Sequence, residues 1–269
     1  MKLELPDYEP MLAAYHRAFA EELRGIVHAL PIREGQLVLD MACGDGAYLP
    51  WLAERLGAGG RIVAVDVSRE YLDVARGANP GVNMQTACAS IENLPFRDGT
   101  FDLCWCAQSL YSLPDPVQAL SQLVRVTKPG GIVAILECDT LHHLILPWPI
   151  DVELTVRAAE LAALAEESDK PHKFYVGRDL RSVFRRSGLV DFSLRTFAHD
   201  RAAPLGADER RYLQEHLKRL SERVGRHMSE PSRRRFERLA DPGSSDFLVD
   251  GPDLVATFID QLAWGRKPL

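Results

Sequence analysis

The 269-residue sequence has no apolar run near the roughly 20 residues that a bilayer-spanning helix requires, so no transmembrane helix is expected. It also has no basic excess. With 32 Lys and Arg against 38 Asp and Glu, the net charge is −6, which leaves no global positive field to hold nucleic acid. The N-terminus carries Asp7 and Glu9 with no apolar segment before them, unlike a secretory signal. Cysteine is scarce: Cys43, Cys88, Cys104, Cys106 and Cys138 are an odd five, as fits a reducing compartment. Cys104 and Cys106 would share one face of a strand, yet no second Cys or His pair at zinc-ligand spacing accompanies them. Buried free thiols are therefore expected, and no metal. Internal repeats and low-complexity tracts are absent. These absences together describe a soluble, cytoplasmic protein.

What is present is enough apolar material, 46% of the chain, for one large core carrying insertions. The organising stretch is Val38-Leu39-Asp40-Met41-Ala42-Cys43-Gly44-Asp45-Gly46-Ala47-Tyr48. It opens with β-formers suited to a buried parallel strand and passes through Gly44-Asp45-Gly46. It then enters an amphipathic pattern from Tyr48 to Leu56 that stops at Gly57. Strand, glycine turn and helix in that order commonly floor a nucleotide or nucleoside site, because glycine lets a ligand approach the backbone amides. A second strand, Arg61–Asp66, ends in an acid twenty positions after Gly46, the separation at which a carboxylate reaches a ribose diol.

Along the chain, residues 8–30 show helical spacing through Met11, Leu12, Tyr15, Phe19, Leu23 and Ile26. Ser68 caps a helix through Ala75, and a third strand covers Val82–Ala87. Ser90–Phe96 is a short loop or helical turn, and Phe101–Cys106 a fourth strand. Asp115-Pro116 opens a helix that Lys128-Pro129-Gly130-Gly131 stops, and Ile132–Glu137 is a fifth strand. Strands alternating with helices give a doubly wound, mostly parallel α/β sheet. Beyond it, helices are expected from Asp151, as cap, to Glu167, from Arg178 to Ser187, around Leu213–Val224 and over Pro231–Leu239. Strands are expected over Phe192–Phe197 and Ala256–Trp264. The organisation that follows is a helical cap (1–30), a core (31–140), a helical lid (141–175), a core helix and strand (176–199), a helical insertion (200–253) and a final strand (254–269).

The residues from 36 to 138 resemble the class I S-adenosylmethionine-dependent methyltransferases of the small-molecule, methyltransferase type 11 or UbiE-like kind. Asp40-x-Ala42-x-Gly44-x-Gly46 is similar to that family's acid-x-Gly-x-Gly-x-Gly, with Ala42 at the first glycine. The acid-ended second strand, Leu94-Pro95-Phe96 followed by Phe101-Asp102, and Arg125-Val126-Thr127-Lys128-Pro129-Gly130-Gly131 occur in the family's order. The resemblance implies a Rossmann-like, seven-stranded sheet of order 3-2-1-4-5-7-6 with an antiparallel seventh strand. It implies Gly44 and Gly46 under the methionine portion of S-adenosylmethionine and Asp40 ordering its amino end. Asp66 would lie on the ribose, Val67 on the adenine, and Ser90, Ile91 and Glu92 around the adenine edge. Cys106, Ala107 and Gln108 would pass near the sulfonium, and Tyr111 would face the acceptor. Apart from the resemblance, Tyr8 and Tyr15 of the first helical stretch either fold over the ligand or merely pack.

Methyl transfer from a sulfonium asks chiefly for positioning of a nucleophile in line with the methyl carbon. A base at the end of the fifth strand could come from Glu137, Asp139, His142 or His143, of which His142 is singled out because imidazole titrates near neutrality. The acceptor expected is a small molecule, and O-, N- and C-methylation all stay open. Trp148, Phe174, Tyr175 and the leucines of the 151–167 helix fit an apolar acceptor. The surplus of Arg and Lys between Arg201 and Arg238 fits either a solvated face or attraction of an anionic substrate. A homodimer through the inserted helices is compatible with the same patterns. An NAD-dependent oxidoreductase shares strand, glycines and distal acid, but the third glycine of its fingerprint would fall at Leu49. A macromolecular methyltransferase lacks support, for there is neither an Asn/Asp-Pro-Pro-aromatic motif nor a Pro-Cys nucleophile. A cofactor-binding scaffold without turnover is the third alternative.

Overall fold

A computed structural model describes residues 9–139, 141–166 and 176–269. Tyr8, Phe174 and Tyr175, singled out in the sequence, lie outside them. Two helices, α1 (Glu9–Ala18) and α2 (Ala20–His28), precede strand β1 (Leu37–Met41). There follow α3 (Leu49–Leu56), β2 (Arg61–Asp66), α4 (Arg69–Ala78), β3 (Met84–Cys88), β4 (Phe101–Ala107), α5 (Pro116–Val126) and β5 (Thr127–Glu137). The remainder is β6 (Leu144–Ile145), α6 (Ile150–Glu166), α7 (Val176–Arg186), β7 (Val190–Ala202), α8 (Ala207–Val224), α9 (Glu230–Ala240) and β8 (Val255–Arg266).

The strands form one sheet in the order β3-β2-β1-β4-β5-β8, with β7 along the far side of β8. The first five run parallel, and β8 runs antiparallel to both β5 and β7. That is the order the resemblance implies, with β8 as seventh strand and β7 as sixth. Alternate residues of the central strands bury on opposite faces, as the two-residue period requires. Val38, Leu103, Trp105 and Leu136 pack under α1, α2, α3, α4 and α8, whereas Leu39, Cys104, Val133 and Ile135 pack under α5 and α7. Both faces are covered, which is why the strands read as continuous apolar runs.

Several boundaries move. Lys128–Gly131 does not stop α5: the helix ends at Val126, and these residues lie within β5 as an irregularity in its register with β4. Gly130, at φ +74°, donates its amide to the carbonyl of Lys267, so the turn residues are taken into the sheet by the C-terminal segment. Asp151 sits inside the first turn of α6 instead of capping it. β7 is longer than its apolar stretch, because an edge strand with most of its residues in solvent needs little apolar sequence. An eighth strand, β6, has only two residues and leaves no periodic trace. Ser68 and Asp115 do cap α4 and α5, the first accepting from Tyr71 N and the second from Val117 N and Gln118 N.

Candidate active site

Successive connections leave β1 toward β2 on one side and, later, toward β4 on the other, so a crevice opens at the carboxyl ends of these strands. There the chain turns through Ala42 (φ +57°), Gly44 (φ +52°) and Gly46 (φ +82°). The two outer positions differ in what they require. A Cβ on Gly46 would come within 2.7 Å of Leu49, 2.9 Å of Ala75 and 2.9 Å of Asn79, so this glycine lets the start of α3 pack against α4. Ala42 holds a left-handed conformation with its methyl group in place, at a position where relatives of the motif use glycine.

Asp66, at the end of β2, is almost fully buried. Its Oδ2 accepts from Gly44 N at 3.0 Å and its Oδ1 from Ser68 N at 2.9 Å. A carboxylate has about four acceptor sites, so two remain for hydroxyl groups. The same residue thus shapes the glycine turn and presents acceptors to a ligand. Asp40 lies behind the turn, 2% exposed, and its Oδ2 has no hydrogen-bond partner among the described residues. Burial, followed by the nearby charges of Asp66 and Asp45, holds its carboxyl well above the usual carboxylate range.

One cavity of about 450 Å³ runs from this turn to the inserted helices. Its walls include, among the residues singled out in the sequence, Tyr15, Ala42, Gly44, Asp66, Val67, Ser90, Ile91, Ala107, Gln108 and Tyr111. Val67 is 66% exposed on that wall, an apolar surface suited to a flat ring. Asp40, Gly46, Glu92, Cys106 and His142 are not on it. Cys106 is sealed between the sheet and α5, where burial pushes its thiol well up, and Glu92 gives its amide to the Ser90 hydroxyl at 3.2 Å.

The loop after β5 separates its candidates. Glu137 is fully buried, and its Oε1 accepts from Ser109 N at 2.8 Å and Leu110 N at 2.5 Å, so it anchors the loop that carries Gln108 and Tyr111. Burial pushes its carboxyl up to about 8. His142 points outward: its side chain is 60% exposed and its Nδ1 accepts from Arg178 Nη2 at 2.6 Å. Asp139 pairs with the same Arg178. His143 instead lines the cavity, its carbonyl accepting from Ile259 N at 2.8 Å where β6 meets β8.

The far wall was legible in the sequence only as the Arg- and Lys-rich section from Arg201 to Arg238, without its individual residues. Tyr212, His216, Arg219 and Arg223 of α8 face the cavity with Glu160 of α6 and Phe258 and Asp260 of β8. Their spacing on α8, i, i+4, i+7 and i+11, is one helical stripe beside the apolar stripe of Leu213, Leu217, Leu220 and Val224. A second periodic row was the available signal. His216 meets His143 edge to face at 5.3 Å, and burial, then His143 and the arginines, pull its imidazole down to about 3. Asp260 is an acid set among the apolar residues of β8 and accepts the Tyr15 hydroxyl at 2.5 Å. His16 of α1, also unmarked in the sequence, lines the cavity 3.9 Å from Asp45, its imidazole lowered chiefly by burial.

Residues 39–135 match the family described as the methyltransferase domain. Demethylmenaquinone methyltransferase of Staphylococcus epidermidis is 32% identical over 189 residues, covering 66% of this chain and 78% of the relative. Malonyl-[acyl-carrier protein] O-methyltransferase of Erwinia billingiae is 39% identical over 128 residues, 46% of this chain, which spans about half, 49%, of that relative. Among solved structures, a phosphoethanolamine N-methyltransferase of Haemonchus contortus, determined with S-adenosylhomocysteine, superimposes with a TM-score of 0.56. It is 16% identical and covers 97% of this chain and 58% of the other, a likeness of fold. With the family shown, the dehydrogenase alternative falls away. An exposed apolar shelf at Val67, spare acceptors on Asp66, an open approach above Gly44 and an unpartnered buried oxygen on Asp40 all fit a sulfonium nucleoside, and the chain belongs to the class I S-adenosylmethionine-dependent methyltransferases, with S-adenosylmethionine as its cofactor.

Proposed function

We propose that the protein methylates a small-molecule acceptor seated between the glycine turn and α8. The observation that carries this reading is the continuity of one cavity from Gly44 and Asp66 to Tyr212 and Asp260. Its volume, about 450 Å³, falls in the range of small-molecule sites. S-adenosylmethionine supplies, when bound, an electrophilic methyl group on sulfur, with S-adenosylhomocysteine as the leaving group. Asp66 binds the ribose hydroxyls, Val67 and Ile91 cover the adenine faces, and Ser90 meets its edge. Gly44 leaves room at the methionine end, and Asp40 acts on the amino group from behind the turn. Ala107 and Gln108 border the reacting centre on the side of β4.

The acceptor's environment comes from the added helices. The described residues of the cap (1–30), the lid (141–175) and the helical insertion (200–253) surround the acceptor beside a core built from the described residues of 31–140, 176–199 and 254–269. Tyr15, Tyr212 and Phe258 give it an apolar, aromatic wall that excludes water. Tyr111 and His143 are the groups that border the acceptor from the strand ends. His143 takes the part first given to His142, whose ring faces solvent and is held by Arg178. A neutral imidazole there can accept a phenolic or enolic proton.

Incubation of the protein with methyl-labelled S-adenosylmethionine and a panel of phenolic, amine and enolic compounds tests the reading. Label carried into an acceptor-sized product, and lost in Asp66→Ala, is the expected result. Bound cofactor with no transfer to any member of the panel would favour the scaffold alternative.

A further inference from the structure

Most arginines on the helices around the cavity are neutralised within the chain. Arg157 pairs with Glu153 and Glu160, Arg210 with Asp250, and Arg226 with Glu166, while Arg201, from the neighbouring strand, pairs with Glu22 and Glu209. Arg219 and Arg223 differ. Both line the cavity and both are only partly exposed. Neither has an ion pair or hydrogen bond to another described residue. Placed four residues apart, they share one face of α8, so two guanidinium groups converge on the same end of the cavity. The cavity-lining acid on which Arg223 acts, Glu160, is committed to Arg157 at 3.0 Å, and Arg223 acts on it only through space. His216, which stands in the same stripe, stays neutral there, so it adds a hydrogen-bonding ring and no charge.

Partly desolvated guanidinium groups without a counter-charge are costly unless a ligand supplies one. Arg is moreover the side chain whose planar fork matches an oxyanion by two parallel hydrogen bonds. We infer that the methyl acceptor carries an oxyanion, a carboxylate or a phosphate, held by Arg219 and Arg223, with its apolar body against Tyr212, Leu220 and Phe258. This rests on the methyltransferase reading of the cavity and narrows it to amphiphilic acids. The charge sits on the α8 side, where Arg223 acts on Glu160 and His216, so the anion orients the acceptor with its nucleophile toward the cofactor end.

The test uses the whole protein, loaded with S-adenosylhomocysteine, and three probes: 4-hydroxybenzoate, its neutral isostere 4-hydroxybenzamide, and phenyl phosphate. Calorimetry is expected to show at least one anionic probe binding about tenfold or more tighter than the amide, a preference that falls with added salt. Whether the benzoate or the phosphate leads identifies the oxyanion. Arg219→Gln with Arg223→Gln should abolish the preference while S-adenosylhomocysteine still binds, which also reports that the variant is folded; the double Lys variant should keep part of it. Equal affinity for charged and neutral probes, binding of none of them, or a preference unchanged in the Gln variant would overturn the anion site alone. Failure of the wild-type protein to bind S-adenosylhomocysteine would overturn the methyltransferase reading and this inference with it.

Discussion

The Tyr15 hydroxyl of the first helix donates a 2.5 Å hydrogen bond to Asp260 of the last strand, across 245 residues of sequence. Both groups are buried on the cavity wall, and His199 Nε2 lies 3.4 Å from the same carboxylate oxygen. The N-terminal helix is therefore fastened to the end of the chain by a polar contact inside the site. Burial, with the charge of Asp260 next, pushes the Tyr15 phenol well above its usual range, so it remains a donor.

Removing that donor leaves a buried carboxylate short of a partner. Tyr15→Phe is expected to lower stability by about 1–3 kcal/mol. Hydrogen exchange should show α1 losing protection more than β1 or β4. Uniform loss across all elements, or none, would show that the bond does not fasten the helix.

Two positions in the glycine turn should respond oppositely to a single methyl group. Gly46→Ala adds a Cβ at φ +82° that meets Leu49, Ala75 and Asn79 inside 3.0 Å, and is expected to cost about 2 kcal/mol or more. Ala42→Gly removes a side chain from φ +57° and should be neutral or stabilise by up to about 1 kcal/mol. Urea unfolding of the two variants checks the pair.

Glu137 should make stability fall with rising pH. Its folded value is about 8 against an ordinary value of 4.5, so between these limits the folded chain keeps a proton that the unfolded chain has lost. The contribution is fully present below pH 4.5 and is lost as pH rises toward 8, at up to about 1.4 kcal/mol per pH unit. Glu137→Gln keeps an acceptor for Ser109 N and Leu110 N and removes the titration. Denaturant midpoints from pH 5 to 8 should therefore be flatter in the variant; parallel curves would remove Glu137 as the cause.

The glycine turn and its contact with Asp66 were readable because they are local. Asp40 to Gly46 form one strand and one turn, and Asp66 is reached by the next strand, so spacing alone brings them together. The apolar half is assembled by contacts distant in sequence. Tyr15 meets Asp260 only when the sheet has closed, and β8 acquires its role from a hydrogen-bonding partner, β5, more than a hundred residues earlier. His142 and His143 show the limit of reading a loop by composition. The two are adjacent, yet β6 pairing turns one inward while Arg178 holds the other outward. Lys128–Gly131 misled for a related reason: Gly and Pro mark a break in local preference, and the C-terminal segment supplied the pairing that kept them in the strand.

The central claim is that the cavity binds a sulfonium nucleoside through Asp66. The most direct measurement is calorimetric titration of the protein and of Asp66→Ala with S-adenosylmethionine, S-adenosylhomocysteine and NAD. The account predicts micromolar binding of the two sulfur nucleosides, weakened about 10- to 100-fold in the variant through loss of charge-assisted hydrogen bonds, with no comparable binding of NAD. Equal binding by wild type and variant, or binding of NAD alone, would contradict it.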